Sequence, residues 1–339
     1  MLGIGKVLPI EKLLDVVSKS VGRISKSYFD RRDINTRAYE IKKIAEAKAE
    51  EIKLISEAVS ENFKLTGGID YKDEKIAISS PNETQTSIIE KSIEERTKER
   101  VDFQEEKKQL NIESITSYAA AELINEPPIS DEPLDEDWTT RFFRIVEDIS
   151  KDEMQVLWGK ILAGEVKQPK SFSLRTLELV RNLSKEDADL FNKVAQFAIC
   201  SGNGNYIFNG NDDNKLSEEF NIKYMDIAHL NEIGLIQSGD FVNHQFLQSN
   251  NDTKRVLIAG NFVLFVIIKA NTPTVMMPVN VFSKSGNELL KLIKSEPPFE
   301  YLRYFANSIK NNNIEVKYAN ILGYEADKIV HTMPLLDLV

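Results

Sequence analysis

The sequence predicts a mainly α-helical fold with a smaller α+β part: N-terminal amphipathic, coiled-coil-like helices, a central helical domain, and a C-terminal winged-helix-like module with a β-hairpin. Three observations predict it. Apolar residues recur at 4,3,4 spacing in segments 10–28, 41–59 and 138–149, which places each set on one side of a helix. Charged residues of both signs alternate with Ala and Glu over long stretches before residue 125, a composition that favours helix. Strand-like texture gathers late, in "RVLIAGNFVLFVIIKA", where Gly260 and Asn261 mark a hairpin turn.

Composition bounds the rest. The 339 residues are 42% hydrophobic, ample for a core and, at about 150 residues per domain, enough for two or three domains. A formal net charge of −10 argues against a protein that grips nucleic acid over its whole surface, because phosphate neutralisation needs clustered Lys and Arg. The lone cysteine, Cys200, can form neither an internal disulfide nor a thiolate zinc cluster, which fits a reducing cytoplasm. The opening "MLGIGKVLPIEKLLDVV" breaks its apolar residues with charges and so lacks a secretory signal. The longest apolar run, "FVLFVII" at 262–268, is far short of the roughly 20 residues that span a bilayer, and reads as a buried strand.

Taken in order, Ile10, Leu14, Val17, Val21, Ile24 and Tyr28 form the stripe of an amphipathic helix. Residues 1–43 hold ten Lys/Arg against five Asp/Glu, so this arm is basic in an acidic chain and is able to dock a partner or an anionic membrane surface. Ile41, Ala45, Lys48, Ile52, Ile55 and Val59 continue as a short heptad-like seam, completing a helical arm over 1–64. Residues 65–82 carry Gly-Gly and Ser-Ser-Pro-Asn and read as a loop with one short strand; 83–125 read as a charged helix. The three prolines in "EPPISDEPL" make 126–134 the best linker.

The central domain, 135–200, opens on "DWTTRFFRIVEDISKDEMQVLWGKILAGE". Trp138, Phe142, Ile145 and Ile149 define one buried face, and Met154, Leu157, Trp158, Ile161 and Leu162 another, in two consecutive helices. Ser150 with Glu153, and later Ser184 with Asp187, have capping-box spacing. Gly164 is placed to end the second helix, with Pro169 beyond it. Asp137 and Arg141 form an i,i+4 pair. Asp137, Glu147, Asp148 and Glu165 sit among Arg141, Arg144 and Lys160, as solvated ion-paired acids do, rather than as a general acid–base couple. From this stretch Asp137, Arg141, Arg144, Asp148 and Glu165 are the candidate partner-binding residues, and Trp138, Phe142, Trp158 and Gly164 its structural signature.

After residue 200, "CSGNGNYIFNGNDDNKLSEE" reads as tight turns between short strands. "IKYMDIAHLNEIGLI" reads as a helix ended by Gly234 and followed by a strand, and "VFSKSGNELLKLI" and "FEYLRYFANSIKNNN" as amphipathic helices, the latter leading into "IEVKYANIL". The helix–hairpin–helix order is what predicts the winged-helix-like module over 201–339. As a DNA reader its helix is poor, since Lys223 and His229 stand beside Asp226 and Glu232. His229, His244 and His331 are scattered, and no phosphate-loop, dinucleotide or nucleophile-elbow motif occurs, so no catalytic residue, metal or cofactor is assigned.

The segment "DEDWTTRFFRIVEDISKDEMQVLWGKILAGEVKQPKSFSLRTLELVRNLSKEDADLF" resembles the core signature of a bacterial family of unknown function, the one catalogued as 2806. The likeness extends to "AEAKAEEI", "EEKKQLNIESI" and, more loosely, "FSKSGNELLKLI". It implies an accessory factor of the kind found near mobile elements and antiphage defence loci. The expectation is therefore a non-enzymatic, homo-oligomeric, cytoplasmic scaffold or sensor. It would bind a protein partner through the acidic stretch 122–153, which has eleven acids against three bases, and reach the inner membrane face through 1–43. The alternatives are a winged-helix nucleic-acid-binding regulator and an enzyme whose site is assembled from distant residues.

Overall fold

The computed structural model describes residues 5–21, 69–72, 75–78, 92–202, 204–210, 215–237, 242–325 and 328–339. The seam Ile41–Val59 and most of the expected 65–82 loop lie outside them, although two strands, β2 (Ile69–Lys72) and β3 (Lys75–Ile78), pair antiparallel within that loop. The chain divides into two compact units, one of Met1–Glu132 with Phe142–Lys167, the other of Pro133–Arg141 with Gln168–Val339.

In the first unit, strand β1 (Lys6–Val7) leads into helix α1 (Pro9–Val21). Its buried side chains are Pro9, Lys12, Leu13, Val16 and Val17, while Ile10, Leu14 and Val21 are only half-buried. Over the described residues the buried side is thus turned from the predicted stripe, whose Ile24 and Tyr28 lie outside them, because Lys12 goes inward, where its Nζ donates to the Ser130 carbonyl at 3.0 Å. That carbonyl belongs to β4 (Ile129–Ser130), which pairs with β1, so the proline-rich stretch also serves as a strand partner. Helix α2 (Ile93–Leu123) starts on a capping box between Ser92 and Glu95. Its last turns bury Ile112, Ile115, Ala119, Ala120 and Leu123. Helix α3 (Glu136–Val146) ends in the first unit, and α4 (Asp152–Lys167) follows after a short turn.

Helices α2 and α4 approach closely at Gly159. A Cβ there would lie 2.5 Å from Tyr118 Cβ and 3.1 Å from the Ala119 nitrogen, and backbone cannot yield as a flexible side chain can. Gly159→Ala is therefore expected to cost about 1–3 kcal/mol through overpacking, measured by urea unfolding. Beside this contact runs a buried amide network. Asn111 Nδ2 donates to the Glu147 carbonyl at 2.8 Å, and Gln155 Nε2 to the Ile149 carbonyl at 2.8 Å and to Asn111 Oδ1 at 3.2 Å. These bonds satisfy the carbonyls left open where α3 stops. Gly164 does not end α4 as expected. The helix runs on to Lys167 because Glu165 and Val166 are buried, and it stops two residues before Pro169, whose ring disfavours helix in the residue before it.

The second unit corrects the predicted fold class. Its framework is a ten-stranded antiparallel sheet, so the protein is not mainly helical with a minor β part, and the hairpin is no winged-helix wing but an integral part of that sheet. Helices α5 (Leu174–Arg181) and α6 (Lys185–Ala195) precede β5 (Ile199–Ser201) and β6 (Gly204–Phe208). Then come α7 (Lys215–Phe220), α8 (Tyr224–Glu232), β7 (Ile236–Gln237), β8 (Asn243–Phe246), β9 (Thr253–Ala259), β10 (Phe262–Ile268) and β11 (Val275–Phe282). Helices α9 (Lys284–Leu290) and α10 (Phe299–Ile309) lead to β12 (Ile314–Glu325), β13 (Lys328–His331) and β14 (Leu336–Asp337). The strand order is β13-β12-β10-β9-β5-β6-β11-β7, with β14 on β12 and β8 on β11.

The Gly260–Asn261 turn closes β9 on β10 as the sequence predicts, in register Ala259 to Phe262, with Gly260 at φ +58°. Gly234, at φ +81°, ends α8 as expected. β10 is apolar throughout because both its faces are covered. Val263 and Phe265 pack with Ala319, Ile321 and Ile329 on one side, and Leu264, Val266 and Ile268 are buried on the other. Helix α10 lies on the sheet through Phe305, 5.5 Å from Phe208, and through Tyr301, whose hydroxyl accepts from the Phe208 amide at 2.8 Å.

Candidate interaction surface

Three kinds of side chain compete for a functional role: the acids and arginines of the central signature, a groove in the second unit, and the first half of α2. The signature aromatics are core. Phe142 and Trp158 are fully buried and meet edge to face at 5.6 Å, while Trp138 is 3% exposed and donates its indole N–H to the Phe172 carbonyl at 2.8 Å. Of the five candidate partner-binding residues, Asp137, Arg141, Arg144 and Asp148 are exposed. Arg141 turns to Glu178, 3.1 Å away, rather than to Asp137. Glu165 is corrected outright. It is 1% exposed, because it follows Ile161 by one helical turn on the buried face of α4, and its charge acts on buried Lys12. Burial lowers the Lys12 pKa, and the carboxylates of Glu132, Asp131 and Glu165 oppose that shift.

A buried carboxylate that the sequence reading missed is Glu288 on α9. It accepts from the Ser173 amide at 2.7 Å, the Ser173 hydroxyl at 3.1 Å and the Thr176 hydroxyl at 2.6 Å, and Thr176 also meets the Ser285 hydroxyl at 3.0 Å. Two stretches quoted above for the resemblance, "SFSLRT" and "FSKSGNELL", therefore close on each other through one carboxylate at the start of α5. The signal lay in their shared hydroxyls, but nothing in a linear reading pairs them.

The groove, of about 370 Å³, lies where β8 flanks β11. Its wall includes Tyr206, His244, Asn205, Asn243 and Gln245, with the Tyr206 and His244 rings stacked at 4.7 Å. Burial, helped by the Arg255 charge, pushes the His244 pKa down, so this imidazole stays neutral at pH 7. Burial pushes the Cys200 thiol up, away from the thiolate that a nucleophile needs. Elsewhere in the same unit, Asp187 caps α6 and pairs with His229, and that hydrogen bond holds its carboxyl below the usual range. Among the described residues no three His, Cys, Asp or Glu side chains gather to hold a metal, and no helix is long and apolar enough to cross a membrane.

The first half of α2 is different in kind. From Ile93 to Leu110 every side chain is exposed save half-buried Lys108, over a length of about 27 Å. Four large apolar residues stand in solvent there: Ile93 at 72% exposure, Val101 at 41%, Phe103 at 67% and Leu110 at 46%. Local support comes from Arg100 donating to Gln104 at 2.9 Å and from Lys108, 3.1 Å from Glu105 and 3.7 Å from Glu147. Such pairs contribute only ~0.2–0.5 kcal/mol each.

No curated protein and no solved structure matches the chain. Residues 95–306, spanning the central signature, the hydroxyl–Glu288 contact and most of the exposed helix, match the family described as "Protein of unknown function (DUF2806)". The chain belongs to that DUF2806 family.

Proposed function

We propose that this protein is a non-enzymatic interaction protein that works as an oligomer, with the first half of α2 as its docking element. The observation that carries the reading is the contrast within one helix: its last turns bury Ile112, Ile115, Ala119, Ala120 and Leu123, whereas residues 93–110 are exposed save half-buried Lys108, with Phe103 at 67% and Leu110 at 46% exposure. Covering such exposed apolar residues with a partner helix removes their surface from water. The basic segment 1–43 is a weaker candidate for a membrane contact, since Leu13, Val16 and Val17 are already covered. In the cell the reading is of a cytoplasmic accessory factor, and its antiphage setting rests on the family resemblance alone.

Static light scattering across a concentration series tests it. The wild-type chain is expected to exceed its monomer mass of 38.6 kDa, and Phe103→Asp to fall back to that mass with its helical signal retained. A wild-type monomer at every concentration, or a Phe103→Asp chain that assembles like the wild type, contradicts the proposal.

A further inference from the structure

We propose that His244 makes strand β8 a pH-sensitive latch on the sheet of the second unit, closed while the imidazole is neutral and loosened when it takes a proton. Among the described residues β8 has one strand partner, β11, through register pairs that run from Val275–Phe246 to Pro278–Asn243. His244 stands within this ladder opposite Met277, which is buried. Its ring stacks on Tyr206 of β6 at 4.7 Å and meets Phe246 edge to face at 5.0 Å, and both of those partners are buried. The strand is therefore held in part through a half-buried ring that can acquire a charge.

The surroundings of that ring do not welcome the charge. No carboxylate lines the groove beside it, whose other polar side chains are those of Ser201, Asn205, Tyr206, Asn243 and Gln245. The charge that acts on it is the Arg255 guanidinium of β9, of the same sign as an imidazolium. The Tyr206 face attracts a cation, whereas burial first and Arg255 second oppose one; these two set the direction, and the His244 pKa lies below the ordinary 6.5. Tyr206, and Cys200 whose charge acts on Tyr206, are both pushed up by burial and stay neutral from pH 7.5 downward. Released from the ladder, the imidazole recovers its ordinary 6.5 and binds a proton that the closed strand disfavours. Closure is thus fully favoured above pH 6.5 and weakens as pH falls below it, by at most about tenfold per pH unit for one proton.

Hydrogen–deuterium exchange of the Asn243–Phe246 amides in the full-length chain, at about pH 7.5 and about pH 5.5 and corrected for the intrinsic pH dependence of exchange, tests the latch. The wild type is expected to lose protection there several-fold on acidification, up to about tenfold, while the Phe262–Ile268 amides of β10 keep theirs. His244→Phe retains a ring, cannot take a proton, and is expected to show no such loss. Equal wild-type protection at both pH values, a loss shared by β10, or a loss in His244→Phe that matches the wild type overturns the proposal. If phenylalanine itself disturbs the sheet, seen as lost β10 protection at pH 7.5, the ring-proton shifts of the wild-type imidazole decide. Their titration midpoint is expected below 6.5, and a midpoint at or above 6.5 overturns the proposal.

Discussion

Replacing Trp158 by Ala is expected to destabilise the protein by about 3–5 kcal/mol, read as a lower denaturant midpoint in guanidinium unfolding. The indole is fully buried against Phe142 in the first unit, and its removal leaves a void that the flanking helix backbone cannot fill. Trp158→Phe is the informative companion. The indole N–H has no hydrogen-bond partner where it is buried, so losing it removes an unsatisfied donor while much of the ring volume stays. The phenylalanine variant leaves a smaller void than alanine and is expected to lose less stability than it. Equal losses for the two variants would mean that the N–H, not the volume, matters at this site.

The second large effect is expected at Glu288. Its carboxylate receives three hydrogen bonds, at 2.7, 3.1 and 2.6 Å, from Ser173 and Thr176, and Thr176 is fully buried. Glu288→Ala leaves those donors without their acceptor inside the second unit, a loss of about 2–4 kcal/mol, since hydrogen bonds to charged groups contribute ~1.5–3 kcal/mol and orphaned donors add to the cost. Glu288→Gln retains one acceptor oxygen and is expected to lose less. Thermal unfolding of the three chains side by side gives the order wild type, Gln, Ala; an alanine variant as stable as wild type would show that the carboxylate does not hold α5 to α9.

Much of the local structure was legible because its causes are local. Ser184 and Asp187 cap α6 as their spacing says, Gly234 ends α8, and Gly260 turns the β9–β10 hairpin. What failed depended on distant partners. Gly164 has the form of a helix terminator, yet the burial of Glu165 and Val166 carries α4 past it at a cost of ~1 kcal/mol for an interior glycine. Glu165 itself reads as a surface acid until its burial, and its charge acting on Lys12 more than a hundred residues away in sequence, are seen. Gly159, unnoticed beside Trp158, marks a close helix approach that only the position of Tyr118 reveals.

The sheet was missed for the same reason. Its strands come from segments whose pairing spans long loops, and β11 contains Pro278, which argues locally against a strand. β11 nevertheless pairs β6 on one side and β7 and β8 on the other. The charged half of α2 is legible as helix from its composition. Only the burial that begins at Asn111 shows that residues 93–110 differ from the rest of the helix, being exposed save half-buried Lys108.

Hydrogen–deuterium exchange of the amides in Ile93–Leu110, measured at low and high protein concentration, tests the central claim most directly. If this segment is the docking element of an oligomer, its protection rises with concentration, while that of Ile112–Leu123, seated within its own unit, stays constant. Exchange in Ile93–Leu110 that is independent of concentration would contradict the account.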